Sequence, residues 1–255
     1  MKPLKQTVLD SLDGTDEAIL PYIPYLLQDF REIGSDPETM LLMIEQHIPK
    51  KHFRILDLGC GKGAVACRLA QALSAYVHGI DAMDDFIISA KQYAHQLGLD
   101  HKVTFEVADV RLRIQELKNY DLVVLGSIGA VFGDMYQTLK TLEGAINDSG
   151  YVLVDDAFLP DHSTVEYNRC LSETEFYTQI AQAGFSIVAE QLFDRSRVYS
   201  GDEDLLKGIE QRISELIESE PSKKEVFKAY LKSQQHETWM LDNALVTGTW
   251  LLHRK

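Results

Sequence analysis

Residues 53–70 read FRILDLGCGKGAVACRLA, and the fold follows from how this stretch has to sit. Phe53 to Leu58 is a short apolar run with a carboxylate, Asp57, near its end, the pattern of a buried parallel strand. Gly59, Gly61 and Gly63 follow at once, and Ala64 to Ala70 opens with helix-forming residues. Strand, tight glycine turn and helix start together make a ligand-binding corner. Glycines let the backbone turn sharply and let a ligand lie against bare main chain. The helix start adds unpaired N–H groups and a positive dipole end.

Two kinds of ligand use such a corner. A dinucleotide asks for G-x-G-x-x-G/A, which Gly59, Gly61 and Ala64 satisfy loosely. The other pattern is G-x-G-x-G with an acid two residues upstream, which Asp57, Gly59, Gly61 and Gly63 satisfy. Charge decides between them, because a carboxylate at the turn repels a pyrophosphate but suits an ammonium group. The stretch therefore resembles motif I of the class I S-adenosylmethionine (SAM) dependent methyltransferases. That resemblance implies that Asp57, Gly59, Cys60, Gly61 and Gly63 hold the methionine end of SAM.

Outward from this corner the chain alternates strand and helix, which predicts a parallel sheet with helices on both faces. Strands are expected at residues 76–80, 103–107, from 121, at 151–158 and at 186–193, with a last one at 244–253. Helices are expected over 84–97 with Gly98 as C-cap, over 136–146, and from a Ser172/Glu175 capping box to Gly184. Asp81 ends the second strand, 18 residues beyond Gly63, where a carboxylate accepts hydrogen bonds from both ribose hydroxyls of an adenosine. By resemblance Ala82 and Met83 pack on the adenine. Asp109, with Val110 beside it, follows the third strand and either pairs with the adenine edge or caps the next helix. Leu125 and Gly126 end the fourth strand, where the family places the methionine part beside the acceptor.

Composition limits the acceptor. Lys+Arg 25 against Asp+Glu 39 gives a net charge of −14, which opposes nucleic acids and acidic membrane surfaces. No (Asn/Asp/Ser)-Pro-Pro-aromatic sequence and no Pro-Cys dipeptide occur, so the signatures of amino-group methylation on adenine and of covalent cytosine methylation are missing. A small molecule is the expected partner, with no nucleic acid and no membrane. Three cysteines, Cys60, Cys67 and Cys170, argue against a disulfide scaffold or zinc cluster. The N-terminal stretch lacks the apolar segment of a signal peptide, so a cytoplasmic location is expected.

Direct methyl displacement asks mainly for alignment and exclusion of water. An acceptor with a proton to lose asks also for a base. Asp156, at the mouth of the fifth strand beside Asp155, and His162 beyond Pro160 are the candidates, with Tyr167, His236 and Trp239 in reserve. Catechol-type relatives hold Mg²⁺ with acids after strands four and five, but Gly126 and Ser127 stand at the first of those places. No catalytic metal is expected unless Asp134 substitutes.

Residues 1–50 precede the first strand and are expected to cap the cofactor mouth. Pro21 and Pro24 break a helical pattern there, Ser35, Asp36 and Pro37 start a helix over about 38–48, and Tyr22 and Tyr25 either reach the mouth or cover apolar surface. Residues 200–240 form a charged helical insertion before the last strand, broken at Glu220-Pro221-Ser222. The resemblance, over about 53–195 plus the last strand, implies one domain over 1–255. Its fold is α/β, a Rossmann-like doubly wound seven-stranded sheet of order 3-2-1-4-5-7-6 with strand seven antiparallel. The implied activity is SAM-dependent methyl transfer to nitrogen, oxygen or carbon of a small molecule. An NAD(P)-dependent oxidoreductase and a SAM-binding module without turnover are the alternatives.

Overall fold

A computed structural model describes residues 1–49, 52–193 and 195–255, with the side chains of 195–203 excepted. Lys50, the last residue of the expected N-terminal cap, lies outside the described residues. The strands are β1 (Phe53–Leu58), β2 (Ala75–Asp81), β3 (Val103–Val107), β4 (Tyr120–Gly126), β5 (Ile146–Phe158), β6 (Phe185–Leu192) and β7 (Val246–Arg254). They form one sheet in the order β3-β2-β1-β4-β5-β7-β6. β1 to β5 pair in parallel and β7 runs antiparallel to β5 and β6. The order, the seven strands and the reversed last strand are those the sequence implies.

Helices α1 (Leu4–Ser11), α2 (Ile23–Leu26) and α3 (Pro37–His47) precede the sheet. Between strands come α4 (Ala64–Ala72), α5 (Asp84–Gln96), α6 (Val110–Arg113), α7 (Met135–Leu142) and α8 (Glu173–Gln182). The long pair α9 (Arg195–Ser219) and α10 (Lys224–Asn243) leads into β7. One apolar layer joins α3, α4 and α5 to one face of the sheet around Ile55, Val77 and Val124. The other joins α6, α7 and α8 to the opposite face around Leu56, Val123 and Trp250. The central strands β1 and β4 bury side chains on both faces, which is why they read as nearly continuous apolar runs.

Local signals explain most boundaries. Asp36 accepts from the N–H groups of Glu38 and Thr39 at the start of α3, and Ser172 and Glu175 form the expected reciprocal box on α8. Pro21 lies in a 3₁₀ turn over Glu17–Tyr22 and Pro24 in the first turn of α2, so the broken pattern resolves into two short pieces. The insertion breaks at a 3₁₀ turn over Pro221–Lys223, at the proline that marks it in the sequence.

One expected boundary moves. The helix drawn over 136–146 stops at Leu142, and Ile146 instead pairs with Tyr120, so β5 begins five residues before Tyr151 with a register shift beside Tyr120. Gly144 and the turn bond from Ala145 N to Leu142 O end the helix, and the buried Ile146 pays the chain back into the core. The N-terminal helix α1 is not among the expected helices. It buries one residue, Leu9, and is held by other elements: Arg111 Nη1 donates to Lys2 O at 2.9 Å and to Thr7 Oγ1 at 2.6 Å. No described helix is long and apolar enough to cross a membrane.

Candidate active site

The carboxyl ends of β1, β2 and β4 meet beneath a strap formed by residues 27–36. At the β1 corner, Gly61 and Gly63 take φ of +50° and +79°, the left-handed region that a side chain disfavours. A Cβ on Gly61 would meet nothing within 4 Å, so space lies directly against the main chain there. Four of the turn's own N–H groups are already spent. Gly59 and Cys60 donate to Ile80 O at 2.8 and 3.1 Å, Gly63 to Cys60 O at 2.9 Å, and Gly61 to Asp81 Oδ2 at 2.9 Å.

What the corner still offers is acceptors. Asp57 is 2% exposed, and its Oδ2 has no hydrogen-bond partner among the described residues. Burial, then the nearby charge of Asp81, pushes the Asp57 carboxyl up from 3.8 to about 7. Asp81 Oδ1 accepts from Met83 N at 2.8 Å, and burial raises its pKa also. Two neighbouring buried carboxyls, one with an oxygen left unpaired, repel a phosphate and attract a ligand with positive charge and hydroxyl donors.

The other sequence candidates are placed as follows. Cys60 is buried against Gly79, and Ala82 and Met83 are half-buried beside Asp81. Asp109 caps α6 through Arg111 N, while its carboxylate is gripped by the Arg111 guanidinium at 2.7 and 2.8 Å; the hydrogen bonds to Arg111 hold its pKa below the usual range. Its capping reading is therefore realised. Val110 and Leu125 are buried, and Gly126 lies under Ser35.

A sequence-silent residue, Lys62, holds the strap down. Its buried ammonium donates to Leu27 O and, at 2.7 Å, to Phe30 O, while Arg31 Nη1 donates back to Lys62 O at 3.2 Å. Burial, then the Arg31 charge, lowers the Lys62 pKa from 10.5 to about 8. Ser127 Oγ adds a bond to Gly34 O at 2.8 Å. Charged hydrogen bonds of this kind contribute about 1.5–3 kcal/mol. Lys62→Met is expected to raise amide hydrogen exchange in residues 28–35 by roughly tenfold or more, with exchange in β1 unchanged. Equal exchange in the variant and the parent would remove Lys62 as the fastening.

Beyond the strap opens a cavity of about 1350 Å³, bounded by α1, the strap, the loop after β4, the end of β5, and α9 and α10. Asp155 and Asp156 both border it. Asp155 is held: Thr249 Oγ1 donates to its Oδ1 at 2.7 Å and Asp36 N to its Oδ2 at 3.4 Å. Asp156 accepts from Ala157 N at 2.8 Å, and burial raises its carboxyl from 3.8 to about 6. His162 is exposed on the turn after Pro160 and does not border the cavity, so the structure does not bring it to Asp156.

The insertion also differs from expectation in which face it presents. His236 is exposed and Trp239 is 49% exposed, whereas Tyr230, Gln234, Glu237, Thr238 and Leu241 border the cavity. Those five follow the helical period, a polar stripe the sequence contains. Tyr22 and Tyr25 do not border it either. Tyr22 hydrogen-bonds Glu220 at 2.7 Å and packs edge-on against Phe227, and Tyr25 hydrogen-bonds Glu215, so both tie the N-terminal segment to the insertion. Asp134, the conceivable metal ligand, caps α7 in a box with Gln137.

Comparison with known proteins adds the following. The profile of a family described as a methyltransferase domain matches residues 49–244. Phosphoethanolamine N-methyltransferase 1 of Arabidopsis thaliana is 26% identical over 200 residues, 74% of this chain and 40% of that protein. The chain thus spans less than half the length of the curated relatives it matches. A SAM-dependent methyltransferase from Thiobacillus denitrificans, solved with S-adenosylhomocysteine, superposes with a TM-score of 0.75 at 21% identity, covering 91% of this chain and 98% of that one. The cyclopropane synthase MmaA2 of Mycobacterium tuberculosis superposes with a TM-score of 0.76 at 13% identity, covering 100% and 99%. These two likenesses are of fold.

Proposed function

The chain belongs to the methyltransferase-domain family, and on that premise we propose that it transfers a methyl group from SAM to a small-molecule acceptor bound in the large cavity. The observation that carries this reading is the unpartnered, buried Oδ2 of Asp57 at the glycine turn. A buried acceptor without a donor is costly unless a ligand supplies one. An ammonium group supplies it, and a pyrophosphate does not.

On this reading Asp57, with Gly59, Cys60, Gly61 and Gly63, receives the methionine tail. Asp81 accepts from the ribose hydroxyls with the lone pairs its backbone partners leave. Ala82, Met83, Asp109 and Val110 border the adenine, and Leu125 and Gly126 set the sulfur side. Bound SAM supplies an electrophilic methyl group on a sulfonium. The chain's part is to hold the acceptor in line, to exclude water with the Lys62-fastened strap, and to take a proton at Asp156 where the acceptor has one to lose. A cavity of about 1350 Å³ supports turnover over a binding module, whose space beside the sulfur would be filled.

Titration calorimetry tests the reading. S-adenosylhomocysteine is expected to bind in the micromolar range, and NAD(H) and NADP(H) to give no heat. Dinucleotide binding without S-adenosylhomocysteine binding would replace the proposal with the oxidoreductase alternative.

A further inference from the structure

The cavity wall away from the sheet carries a charge cluster that is short of one cation among the described residues. Arg169 Nη1 donates to Asp13 Oδ1 at 2.5 Å, its Nη2 donates to Asp10 O at 2.6 Å, and Glu237 Oε2 lies 3.8 Å from Nη1. Tyr167 donates its hydroxyl to the same Glu237 oxygen. Two carboxylates thus share one guanidinium. Their mutual repulsion is visible at Asp13, which burial first and the Glu237 charge second push up from 3.8 to about 6.

Among the described residues, the remaining basic side chains around the cavity are engaged elsewhere. Arg111 is paired with Asp109, Lys2 with Asp10 at 3.0 Å, and Arg31 lies over the Tyr93 ring at 3.9 Å while donating to Lys62 O. An anionic acceptor would therefore meet uncompensated negative charge from the described side chains at this cluster.

An independent observation marks the same place. Tyr230 borders the cavity, is 2% exposed, and its hydroxyl has no hydrogen-bond partner among the described residues. With no partner on the described chain, this hydroxyl at the cavity wall stays available to a ligand. The Asp13 charge reaches it, raising its pKa further above that set by burial. Cys170 borders the same cavity, and the charges of Asp156, Glu237 and Asp13 add to the burial that raises its thiol pKa, so acids from β5, α10 and the turn after α1 lie around it. An aromatic ring with a free hydroxyl among carboxylates is the chemistry that receives an ammonium group.

We infer that this end of the cavity recognises a positively charged ammonium head on the acceptor, with Glu237, Asp13 and Tyr230 as its specificity residues. The inference rests on the methyl-transfer reading for the word acceptor, but not for the binding of the cation. The net charge of −14 draws such a ligand in from a distance.

The test titrates the protein with hexyltrimethylammonium, hexanol and hexanesulfonate, with and without S-adenosylhomocysteine. The cation is expected to bind at least tenfold more tightly than either of the others. Glu237→Gln should weaken it about tenfold, and the conservative Tyr230→Phe severalfold, with the Tm of each variant recorded and S-adenosylhomocysteine affinity unchanged. Equal binding of the three probes, or cation binding unaltered in a folded Tyr230→Phe and Glu237→Gln, overturns the inference. Cation preference without nucleoside binding leaves the inference standing and removes the methyl-transfer reading; nucleoside binding without cation preference does the reverse.

Discussion

Asp57→Asn is expected to stabilise the ligand-free protein and weaken its cofactor complex at once. The carboxyl is buried beside Asp81, and its pKa stands at about 7 against 3.8 for the free group. A folded-state pKa raised above the unfolded one contributes stability that is complete below 3.8 and is lost as pH rises through about 7. The ligand-free protein should therefore lose stability between pH 4 and 7, by on the order of 4 kcal/mol at most from this group. Asparagine keeps the shape and removes the charge. At pH 8 the variant's Tm is expected to rise by several degrees, at about 2–4 °C per kcal/mol for a chain of this size, and its fall with pH to flatten. The same change strips the partner from an incoming ammonium group, where a close buried charge pair is worth about 2 kcal/mol or more. S-adenosylhomocysteine affinity should drop about 30-fold. Calorimetry at pH 5 and 8 with a binding titration reads both. A lower Tm with unchanged affinity would make Asp57 a structural residue.

That opposition between stability and binding also explains what the sequence could and could not convey. DLGCGKG is legible because the turn needs glycine at positive φ and the ligand needs an acid beside it, and both demands fall on adjacent residues. Strand order follows as well, because apolar runs ending in Asp57, Asp81 and Gly126 leave few ways to build a doubly wound sheet. Where the signal is short-range, as at the Ser172/Glu175 box or Pro221, boundaries fall where expected. The misreadings have a different origin. His162 and Glu237 are separated from Asp156 by loops and an inserted helix pair, so which one faces the cavity depends on helix rotation and not on spacing along the chain. Lys62 lies inside the recognised motif, yet its partners are two carbonyls more than thirty residues upstream, and a carbonyl has no residue type to read. α1 is invisible for the same reason, since Arg111 and Arg169 anchor backbone carbonyls at Lys2, just before it, and at Asp10, within it.

With an acceptor that must lose a proton, Asp156→Asn is expected to lower kcat about 100-fold, the usual weight of a positioned general base. Asp156 is the carboxylate at the β5 mouth with an oxygen to spare. Asp155, its neighbour, has Thr249 on one oxygen and the Asp36 N–H on the other, and its pKa is raised to about 7 by burial first, with the charges of Asp36 and Asp156 adding to it. The acid limb of kcat/KM should rise about tenfold per pH unit below pH 6, where Asp156 is still protonated, and level off above it. In Asp156→Asn the limb should vanish with the lost rate, while S-adenosylhomocysteine affinity stays as it was. Asp155→Asn separates the two roles: it disturbs the Thr249 bond and so lowers Tm, but the limb should persist because the base remains. If the limb instead disappears in Asp155→Asn and survives in Asp156→Asn, the proton goes to the buried carboxylate, and the strand's free one only shapes the cavity.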